Sequence, residues 1–277
     1  MKRIAILGCG WLGFPLAKTL VEKGWTIHGS TRSAEKLERL KASKIKAFQI
    51  NFDAPDIASR LPHFLQVDQV FVNVPPGRRR PNVLDWYPEI ARKILRASNP
   101  EQVERIIWVS STGVYGNLEG KVDESMTPEP QTNNQKALLA AEQAIQQATA
   151  FNHLILRPAG LVGGQRHPGR WLAGKTGLNN GTDVVNLIHQ ADLIQICIAL
   201  IEGEVNNTVF NICADEHPKK SAYYPTMAQK MGLEPPQYDL PEGDTETATF
   251  TGKWIDNAKI KAALNYQFQF PDPYDFS

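Results

Sequence analysis

A glycine-rich turn near the amino terminus constrains the fold of this chain more than any other feature. The apolar stretch Ile4–Leu7 runs directly into the turn Gly8–Gly13, whose pattern is Gly-x-Gly-x-x-Gly, and a helical pattern follows over Phe14–Lys23. A strand, such a turn and then a helix are typical of a dinucleotide-binding unit, although the turn alone also fits an ordinary glycine turn. The sequence therefore predicts a phosphate-binding site at the start of the chain.

Each position of the turn has a physical role in this interpretation. Gly8 allows the tight turn off the strand, Gly10 lets the backbone approach a pyrophosphate, and Gly13 lets the helix pack close to the strand. The N–H groups at the start of the helix carry partial positive charge and point at the phosphates. We therefore predict that Gly8, Gly10, Trp11, Leu12 and Gly13 bind the cofactor.

Length and charge exclude several other classes of protein. A chain of 277 residues with 42% apolar residues suits one large α/β domain, with or without a smaller lobe. Its 30 basic and 29 acidic residues leave a net charge of +1, which argues against a nucleic-acid or membrane-surface binder. The apolar stretch Leu193–Ile201 is too short to cross a membrane.

The cysteines favour a reducing compartment. Cys9, Cys197 and Cys213 are widely spaced, and no Cys or His pattern has the spacing of metal ligands. We therefore predict a cytoplasmic protein without a bound metal. Residues 2–9 also resemble the start of a lipoprotein signal, but the apolar segment before Cys9 is too short and glycines interrupt the residues after it.

Apolar stretches alternate with helical patterns along the first half of the chain. This alternation predicts an α/β fold with a parallel, doubly wound sheet of the Rossmann type, whose ligands bind outside the carboxyl ends of the strands. Helices are predicted over Ala34–Ala42 and Leu84–Ala97. The predicted strands after the first are Trp25–Gly29, Ile45–Ile50, Val67–Val74 and Arg105–Ser110.

The end of the second strand bears on the choice of cofactor. An NAD-preferring fold places an acidic residue about 20 residues beyond the glycine turn, where it binds the ribose 2′-hydroxyl. This chain has Ser30, Thr31, Arg32 and Ser33 there, whose hydroxyl and guanidinium groups suit a 2′-phosphate. We predict NADP as the cofactor, with NAD as the alternative, and Ser30, Thr31 and Arg32 as ligands. The other interpretation of Arg32 is a solvated residue at the start of the next helix.

Polar residues follow the third and fourth strands as well. Asp53 lies where such folds often contact adenine, although an Asp after a strand is as often a helix cap. Asn73 and Pro75 end the fourth strand and are predicted to line the cofactor site. The run Arg78-Arg79-Arg80 suits a phosphate or a carboxylate, with a solvated loop as the alternative.

Later segments carry a family pattern. Val109–Gly116 contains Ser-Ser-x-x-Val-Tyr-Gly, and Ala140–Gln143 resembles the active-site helix of the family named below. Leu156–Gly163, Asn186–Leu193 and Val209–Ile212 match the later strands and loops of the same pattern. In these segments the chain resembles the extended short-chain dehydrogenases, the family of nucleotide-sugar epimerases and dehydratases.

The resemblance is closer to one branch of that family. The turn Gly8–Gly13, the stretch Gly164–Lys175 and the segment Asn211–Ala214 are similar to the YeeZ-like proteins. The similarity extends over nearly the full length of the chain. It implies a Rossmann domain that binds NAD(P) and a smaller lobe that holds the substrate.

The resemblance also implies a chemistry. In this family a Ser or Thr and a Tyr contact the substrate oxygen, a Lys lowers the Tyr pKa, and a hydride moves to or from the nicotinamide. Ser111 matches the family's Ser position. The Tyr and Lys positions fall on Asn134 and Leu138, which supply neither a proton nor a charge.

Two functions therefore stay open. In the first, the protein is an epimerase, dehydratase or reductase with a rearranged acid/base group, and Ser111 and Tyr115 are catalytic; the alternative for Tyr115 is a structural role beneath the substrate lobe. In the second, the fold binds NADP without turnover, as a sensor, a regulatory protein or a structural subunit. Lys136, the only base nearby, is predicted to reach a cofactor phosphate if its helix begins late.

The second half of the chain is expected to supply the substrate site. The resemblance implies an NAD(P)-binding domain over residues 1–160 and a substrate lobe over 161–277, with about 186–215 returning to the sheet. Arg166, His167 and Arg170 lie in a glycine-rich stretch without acidic residues. They suit an anionic small molecule such as a nucleotide diphosphate or a carboxylate, with a solvated basic loop as the alternative. The oligomeric state stays open.

Local patterns predict the remaining elements. His189 and Asp192 are expected to be structural, with His189 bonded to the backbone and a catalytic His as the alternative. Ser221 is predicted to cap a helix that ends at Met231. The other predictions are a buried helix over Leu193–Ile201, a strand over Thr208–Ile212, a short helix over Asp256–Leu264 and an edge strand over Tyr266–Phe270.

Overall fold

The computed structural model of the protein describes residues 2–77, 80–239 and 251–276. These residues contain eleven strands and eight α-helices. The strands are β1 (Arg3–Leu7), β2 (Thr26–Thr31), β3 (Lys46–Gln49), β4 (Gln69–Val72), β5 (Arg105–Val109), β6 (Gly120–Val122), β7 (Asn152–Pro158), β8 (Gly160–Val162), β9 (Leu187–His189), β10 (Thr208–Ile212) and β11 (Lys253–Ile255). The helices are α1 (Gly13–Glu22), α2 (Ala34–Ala42), α3 (Ile57–Phe64), α4 (Val83–Ala97), α5 (Asn133–Gln146), α6 (Gln190–Glu202), α7 (Lys220–Lys230) and α8 (Ala258–Leu264).

Seven strands form the central sheet, in the order β10-β7-β5-β4-β1-β2-β3. The pairings of β1 with β2 and β4, of β2 with β3, of β4 with β5 and of β5 with β7 are all parallel. The order β3-β2-β1-β4-β5 is that of a doubly wound Rossmann sheet, so the predicted fold class is confirmed. The carboxyl ends of these strands share one edge of the sheet, which carries the glycine turn after β1 and the loops after β2 to β5.

The central strands form because their residues are apolar on both faces. β4 and β5 are buried along their whole length, and β1 is buried from Ile4 to Leu7. A parallel sheet covered by helices on both faces requires continuous apolar strands of this kind. The predicted bounds of these strands agree with the observed ones to within a few residues.

The chain divides into two compact units. The first comprises residues 1–116, 130–157 and 194–210, and the second comprises 117–129, 158–193 and 211–277. The predicted boundary between the domains is residue 160, and in the structure the chain passes to the second unit after Arg157. The segment that returns to the first unit is 194–210, which is shorter than the predicted 186–215. The transfer of 117–129 to the second unit was not predicted.

Helix α6 carries the predicted buried segment Leu193–Ile201, and its end is fixed to the first unit's sheet. The carbonyl oxygen of Ile201 accepts hydrogen bonds from the side chains of Gln69 and Arg105, at 3.1 and 3.0 Å. Arg105 donates a further bond to the carbonyl of Val205 at 3.0 Å. These bonds join the end of α6 to the amino ends of β4 and β5. Most apolar residues of the helix are buried, so the predicted buried helix is confirmed.

In the second unit, the C-terminal segment differs from the prediction. The predicted edge strand over Tyr266–Phe270 is wrong, because its polar groups bind the buried carboxylate of Asp192 instead of another strand. Tyr266 donates its hydroxyl to Asp192 at 2.8 Å, and the N–H groups of Gln269 and Phe270 donate at 2.8 and 3.0 Å. Phe270 packs against the core of the second unit, and Phe268 is buried.

Two further predictions concern single residues of the second unit. His189 accepts a hydrogen bond at Nδ1 from the N–H of Ala191 at 3.3 Å, and its ring packs on Phe270 at 3.9 Å between centroids, so its predicted structural role is confirmed. The predicted cap at Ser221 is wrong. Helix α7 begins one residue earlier, and the residue in the cap position is Lys219, without a side-chain cap.

Candidate functional site

Two of the three glycines in the turn have the geometry predicted for them. Gly8 has a φ of +96°, a conformation that favours glycine, and a Cβ there would lie 2.5 Å from the carbonyl oxygen of Asn73. A Cβ on Gly13 would lie 2.3 Å from the carbonyl oxygen of Gly8. Gly8 therefore makes the turn, and Gly13 lets α1 pack against it.

Gly10 is different, because the space beside it is open. It is exposed, and a Cβ at this position would meet no heavy atom of the described chain within 4 Å. Within the same described part of the chain, no side chain caps the first turn of α1, which begins after Leu12. An open glycine beside an uncapped helix start fits the phosphates of a dinucleotide, because the backbone N–H groups and the helix dipole both favour an anion there. Trp11 is partly exposed in this turn, and Leu12 is buried.

The side chains of Ser30 and Asn73 hold the turn in place. The hydroxyl oxygen of Ser30 accepts a hydrogen bond from the N–H of Gly8 at 2.9 Å, and its carbonyl accepts from Cys9 at 2.9 Å. Asn73 donates from its amide to the carbonyl of Gly8 at 3.4 Å. Ser30 is only 3% exposed and its hydroxyl oxygen binds Gly8, so the structure favours a role in ordering the turn over the predicted contact with a 2′-phosphate. Pro75 follows β4 in an exposed position.

The loops after β2 and β3 meet at the edge of the sheet. Arg32 is exposed, and its carbonyl accepts a hydrogen bond from the side chain of Gln49 at 3.1 Å. The hydroxyl of Thr31 accepts from the N–H of Ser33 at 3.2 Å. Helix α2 begins only at Ala34, so Arg32 lies in the loop before it and is not part of the helix.

Asp53 is bound by Arg80 and Trp86. Arg80 donates to both carboxylate oxygens at 3.1 and 2.7 Å, and the indole N–H of Trp86 donates at 2.7 Å. The hydrogen bonds from Arg80 hold the pKa of Asp53 below its usual value. The helix-cap alternative for Asp53 is wrong, since the residue before α3 is Asp56. Arg80 is likewise not a purely solvated loop residue, whereas Arg78 and Arg79 lie outside the described residues.

The segment after β5 carries the serine that matches the family's Ser position. Ser111 precedes a short 3-10 helix, Thr112–Tyr115, and its hydroxyl oxygen accepts from the N–H of Gly113 at 3.0 Å. The side chain is only partly buried, and its O–H remains able to donate. Ser111 therefore keeps a partly exposed hydroxyl that can still donate one hydrogen bond.

Tyr115 lies in the core instead. It has 0% exposed surface, and its hydroxyl oxygen accepts a hydrogen bond from Arg157 at 2.9 Å. The guanidinium also packs on the Tyr115 ring, 4.9 Å from its centroid. Tyr115 therefore has no exposed surface at which to pass a proton to a substrate, which favours a structural role over the predicted catalytic one.

Beneath this segment lies a buried ion pair that was not predicted. Arg157 donates to Glu142 at 2.6 Å, and the two side chains are 5% and 0% exposed. Ser110 donates its hydroxyl to the same carboxylate. Burial alone would lower the pKa of Arg157, but its hydrogen bonds to Glu142 and Tyr115 raise it overall. The pair therefore ties β5, α5 and β7 together under Ser111.

The start of helix α5 fixes where the two positions that correspond to the family's Tyr and Lys lie. Thr132 and Gln135 form a capping box, so the helix begins at Asn133 and not later. Asn134 therefore lies in the first turn, with Leu138 buried one turn on. The condition for Lys136 to reach a cofactor phosphate is not met: it is exposed and lies about 200° around the helix from Asn134.

In the second unit, the predicted substrate residues share one short anchored segment. Gly163 and Arg166 exchange backbone hydrogen bonds at 3.1 and 3.2 Å, and the 3-10 helix Pro168–Arg170 follows. This helix packs so closely on α7 that a Cβ on Gly169 would lie 2.2 Å from the carbonyl oxygen of Met227. The side chains of Arg166 and Arg170 are both exposed.

His167 contributes no charge to this segment. Its Nδ1 accepts from the N–H of Gly169 at 3.1 Å, which requires a ring nitrogen without a proton. Burial and the nearby cations Arg170 and Lys230 lower its pKa. His167 is therefore a neutral hydrogen-bonding group, and the positive charge comes from the arginines.

Other chemistries find no support in the described residues. The three cysteines are free and buried, and burial raises the pKa of the Cys9 thiol to about 12. No group of three or more His, Cys, Asp or Glu residues in residues 2–77, 80–239 and 251–276 could hold a metal ion. No helix in that part of the chain is long and apolar enough to cross a membrane.

A Rossmann sheet whose glycine turn is open at Gly10 defines a dinucleotide-binding protein. Comparison with protein families agrees, since a family model described as NAD(P)H-binding matches residues 8–204. This chain therefore belongs to the NAD(P)H-binding family.

Known proteins narrow the relationship further. Protein YeeZ of Escherichia coli strain K12 is 35% identical over 278 residues, which cover 99% of this chain and 98% of that protein. Among solved structures, UDP-glucuronic acid 4-epimerase from Bacillus cereus in complex with NAD matches with a TM-score of 0.79 and 19% identity, over 99% of this chain and 95% of the other. A conserved protein of unknown function from Silicibacter pomeroyi has a TM-score of 0.74 and 22% identity, over 99% and 96%.

Proposed function

We propose that this protein is an NADP(H)-dependent oxidoreductase, epimerase or dehydratase that acts on an anionic small molecule such as a nucleotide sugar. The observation that carries the proposal is the open backbone at Gly10 beside the uncapped start of α1. In this proposal the N–H groups at Trp11, Leu12 and Gly13 bind the pyrophosphate. Asn73 and Pro75 border the cofactor from the end of β4.

The preference for NADP rests on the end of β2. Arg32 is exposed there, and no acidic side chain stands in its place to accept a hydrogen bond from a ribose 2′-hydroxyl. A guanidinium suits a 2′-phosphate, because it forms charge-assisted hydrogen bonds with phosphate oxygens. Thr31 adds a hydroxyl beside it.

The chemistry follows from the cofactor and from Ser111. When bound, NADP(H) supplies or accepts a hydride. Ser111 donates its hydroxyl to the substrate oxygen and orients it. Because Asn134 and Leu138 replace the family's Tyr and Lys, proton transfer here does not use that pair.

Arg166 and Arg170 are proposed to bind the anionic part of the substrate, with His167 as a neutral partner. The observation in favour is that both guanidinium groups are exposed on a segment that α7 holds in place. The B. cereus neighbour is an epimerase of UDP-glucuronic acid, and its substrate is an anion of this class.

Turnover is the test. Purified protein is incubated with NADPH and a panel of nucleotide sugars and ketones, and with NADP and the same nucleotide sugars. The cofactor absorbance is followed to detect net oxidation or reduction, and the sugars are analysed by NMR to detect epimerisation or dehydration, which return the hydride and leave the absorbance unchanged. We expect a change with at least one anionic substrate and none with Arg166→Ala/Arg170→Ala, whose NADPH affinity stays the same. Tight NADPH binding without any turnover across the panel would contradict the enzymatic proposal.

A second candidate is a regulatory protein that binds NADP without turnover. The specific observation in its favour is the combination of Asn134 and Leu138 on a well-defined α5 with the burial of Tyr115. In this case the assay above shows binding without oxidation.

We further propose a cytoplasmic location, which three free cysteines favour.

A further inference from the structure

The contact between Asp53, Arg80 and Trp86 is more elaborate than an ordinary surface ion pair. Arg80 binds both oxygens of the carboxylate, and Trp86 donates its indole N–H to one of them. The guanidinium also lies over the indole ring, 3.7 Å from its centroid. Arg80 is therefore held both at its edge by Asp53 and on its face by Trp86, which fixes its orientation.

The position of this cluster follows from the sheet order. Asp53 comes after β3, and Arg80 comes after β4. In the sheet, β1 and β2 lie between those two strands, and the glycine turn follows β1. The pair therefore joins loops from the two sides of the glycine turn. The adenosine end of a dinucleotide in a Rossmann fold lies toward the end of β2, next to Arg32.

The cluster keeps unused binding capacity. A guanidinium has five N–H donors, and the hydrogen bonds to Asp53 use two of those of Arg80. Its side chain is 26% exposed and that of Asp53 is 42% exposed, so the cluster reaches solvent. Arg32 acts on the same carboxylate, since it contributes to lowering the pKa of Asp53. Two guanidinium groups and one carboxylate leave a net positive charge at this place.

From this geometry we propose that Arg80 is a specificity residue that binds the 2′-phosphate of NADP together with Arg32. Asp53 and Trp86 orient Arg80 and do not contact the phosphate. The inference rests on the proposed function, because it presupposes that the dinucleotide binds at the glycine turn. It assigns to Arg80, and to one phosphate of the cofactor, the anion binding that the sequence suggested for the basic run after β4 as a whole.

The experiment uses fragments of the cofactor as probes. Adenosine 2′,5′-bisphosphate and adenosine 5′-monophosphate differ only in the 2′-phosphate, and each is titrated by calorimetry into wild-type protein and Arg80→Ala. NADPH and NADH are titrated in parallel. The matched control is Arg60→Ala, which also removes an arginine from an exposed pair, with Asp56 at 2.6 Å.

We expect Arg80→Ala to weaken binding of the bisphosphate and of NADPH by about tenfold or more, the loss of a charge-assisted hydrogen bond. Binding of the monophosphate and of NADH stays the same, and Arg60→Ala changes none of the four. Thermal unfolding of Arg80→Ala and Arg60→Ala is compared to show that both variants fold.

Three results would overturn the inference, and they are distinguishable. If wild-type protein binds NADPH and Arg80→Ala binds the bisphosphate equally well, Arg80 has no role and the proposed function stands. If Arg80→Ala loses the bisphosphate and the monophosphate alike, Arg80 is only structural. If wild-type protein binds neither NADPH nor NADH, the proposed function fails as well.

Discussion

At the scale of single residues, the buried pair of Glu142 and Arg157 is the feature on which the candidate site most depends. Glu142 has no exposed surface and accepts hydrogen bonds from Ser110 and Arg157. A buried charge is tolerated only when its partners are present. The pair therefore holds the end of β5, from which Ser111 is presented.

Glu142→Gln is expected to lower the free energy of unfolding by about 3–5 kcal/mol, because it leaves the Arg157 charge buried without a partner charge. Chemical denaturation measures the change. The matched control is Glu89→Gln, in an exposed pair with Arg96, where we expect about 0–1 kcal/mol. Equal losses in the two variants would contradict the structural role of the pair.

Residue roles were the hardest to predict from the sequence. Ser30 was expected to bind a phosphate because of its position after β2, yet its hydroxyl orders the turn at Gly8. Tyr115 resembled a catalytic group, but only the packing of Arg157 shows that it is buried. The partner of Arg80 is 27 residues away in the chain, and no local pattern indicates such a pairing.

At the scale of elements, the strand, turn and helix at the start of the chain were predicted well because their pattern is local. The conformation of Gly8 and the close packing at Gly13 follow from residues within the same short segment. The segment Tyr266–Phe270 was predicted wrongly for the opposite reason. Its alternation of aromatic and polar residues suits a strand, but Asp192, which is distant in the sequence, takes its N–H groups.

Gly8→Ala tests the turn as an element. The substitution places a Cβ 2.5 Å from the Asn73 carbonyl in a backbone with a φ of +96°, so it strains the turn. We expect a loss of about 1–3 kcal/mol in the free energy of unfolding, measured by chemical denaturation. Gly10→Ala is the comparison and should unfold like the wild type, because no heavy atom of the described residues lies within 4 Å of the added Cβ. A stable Gly8→Ala would mean that the turn adopts another conformation.

At the scale of the whole molecule, the histidines set the response to pH. Burial lowers the pKa of five of them below the ordinary value of 6.5: His28, His153, His167, His189 and His217. The unfolded chain takes up protons at these residues near pH 6.5, and the folded protein does so only at lower pH. The histidines therefore stabilise the fold above that pH, and their contribution is lost as the pH falls.

We expect the free energy of unfolding to decrease as the pH is lowered from about 7 to about 5. Chemical denaturation at a series of pH values measures this. Carboxylates such as Asp53, whose pKa Arg80 lowers, lose their contribution only at lower pH. Burial raises the pKa of Glu124, so this carboxyl acts in the opposite direction, as one group against five histidines. Constant or increasing stability over this range would contradict the burial of the histidines.

Uptake of the cofactor at the glycine turn is tested most directly by isothermal titration calorimetry of NADPH into wild-type protein and Gly10→Ala. The wild type should bind NADPH, and more tightly than NADH. Gly10→Ala should lose binding while it unfolds like the wild type, because the added Cβ meets no atom of the described chain within 4 Å and would fill the space proposed for the phosphates. Failure of the wild type to bind either cofactor, or full affinity in Gly10→Ala, would contradict the site.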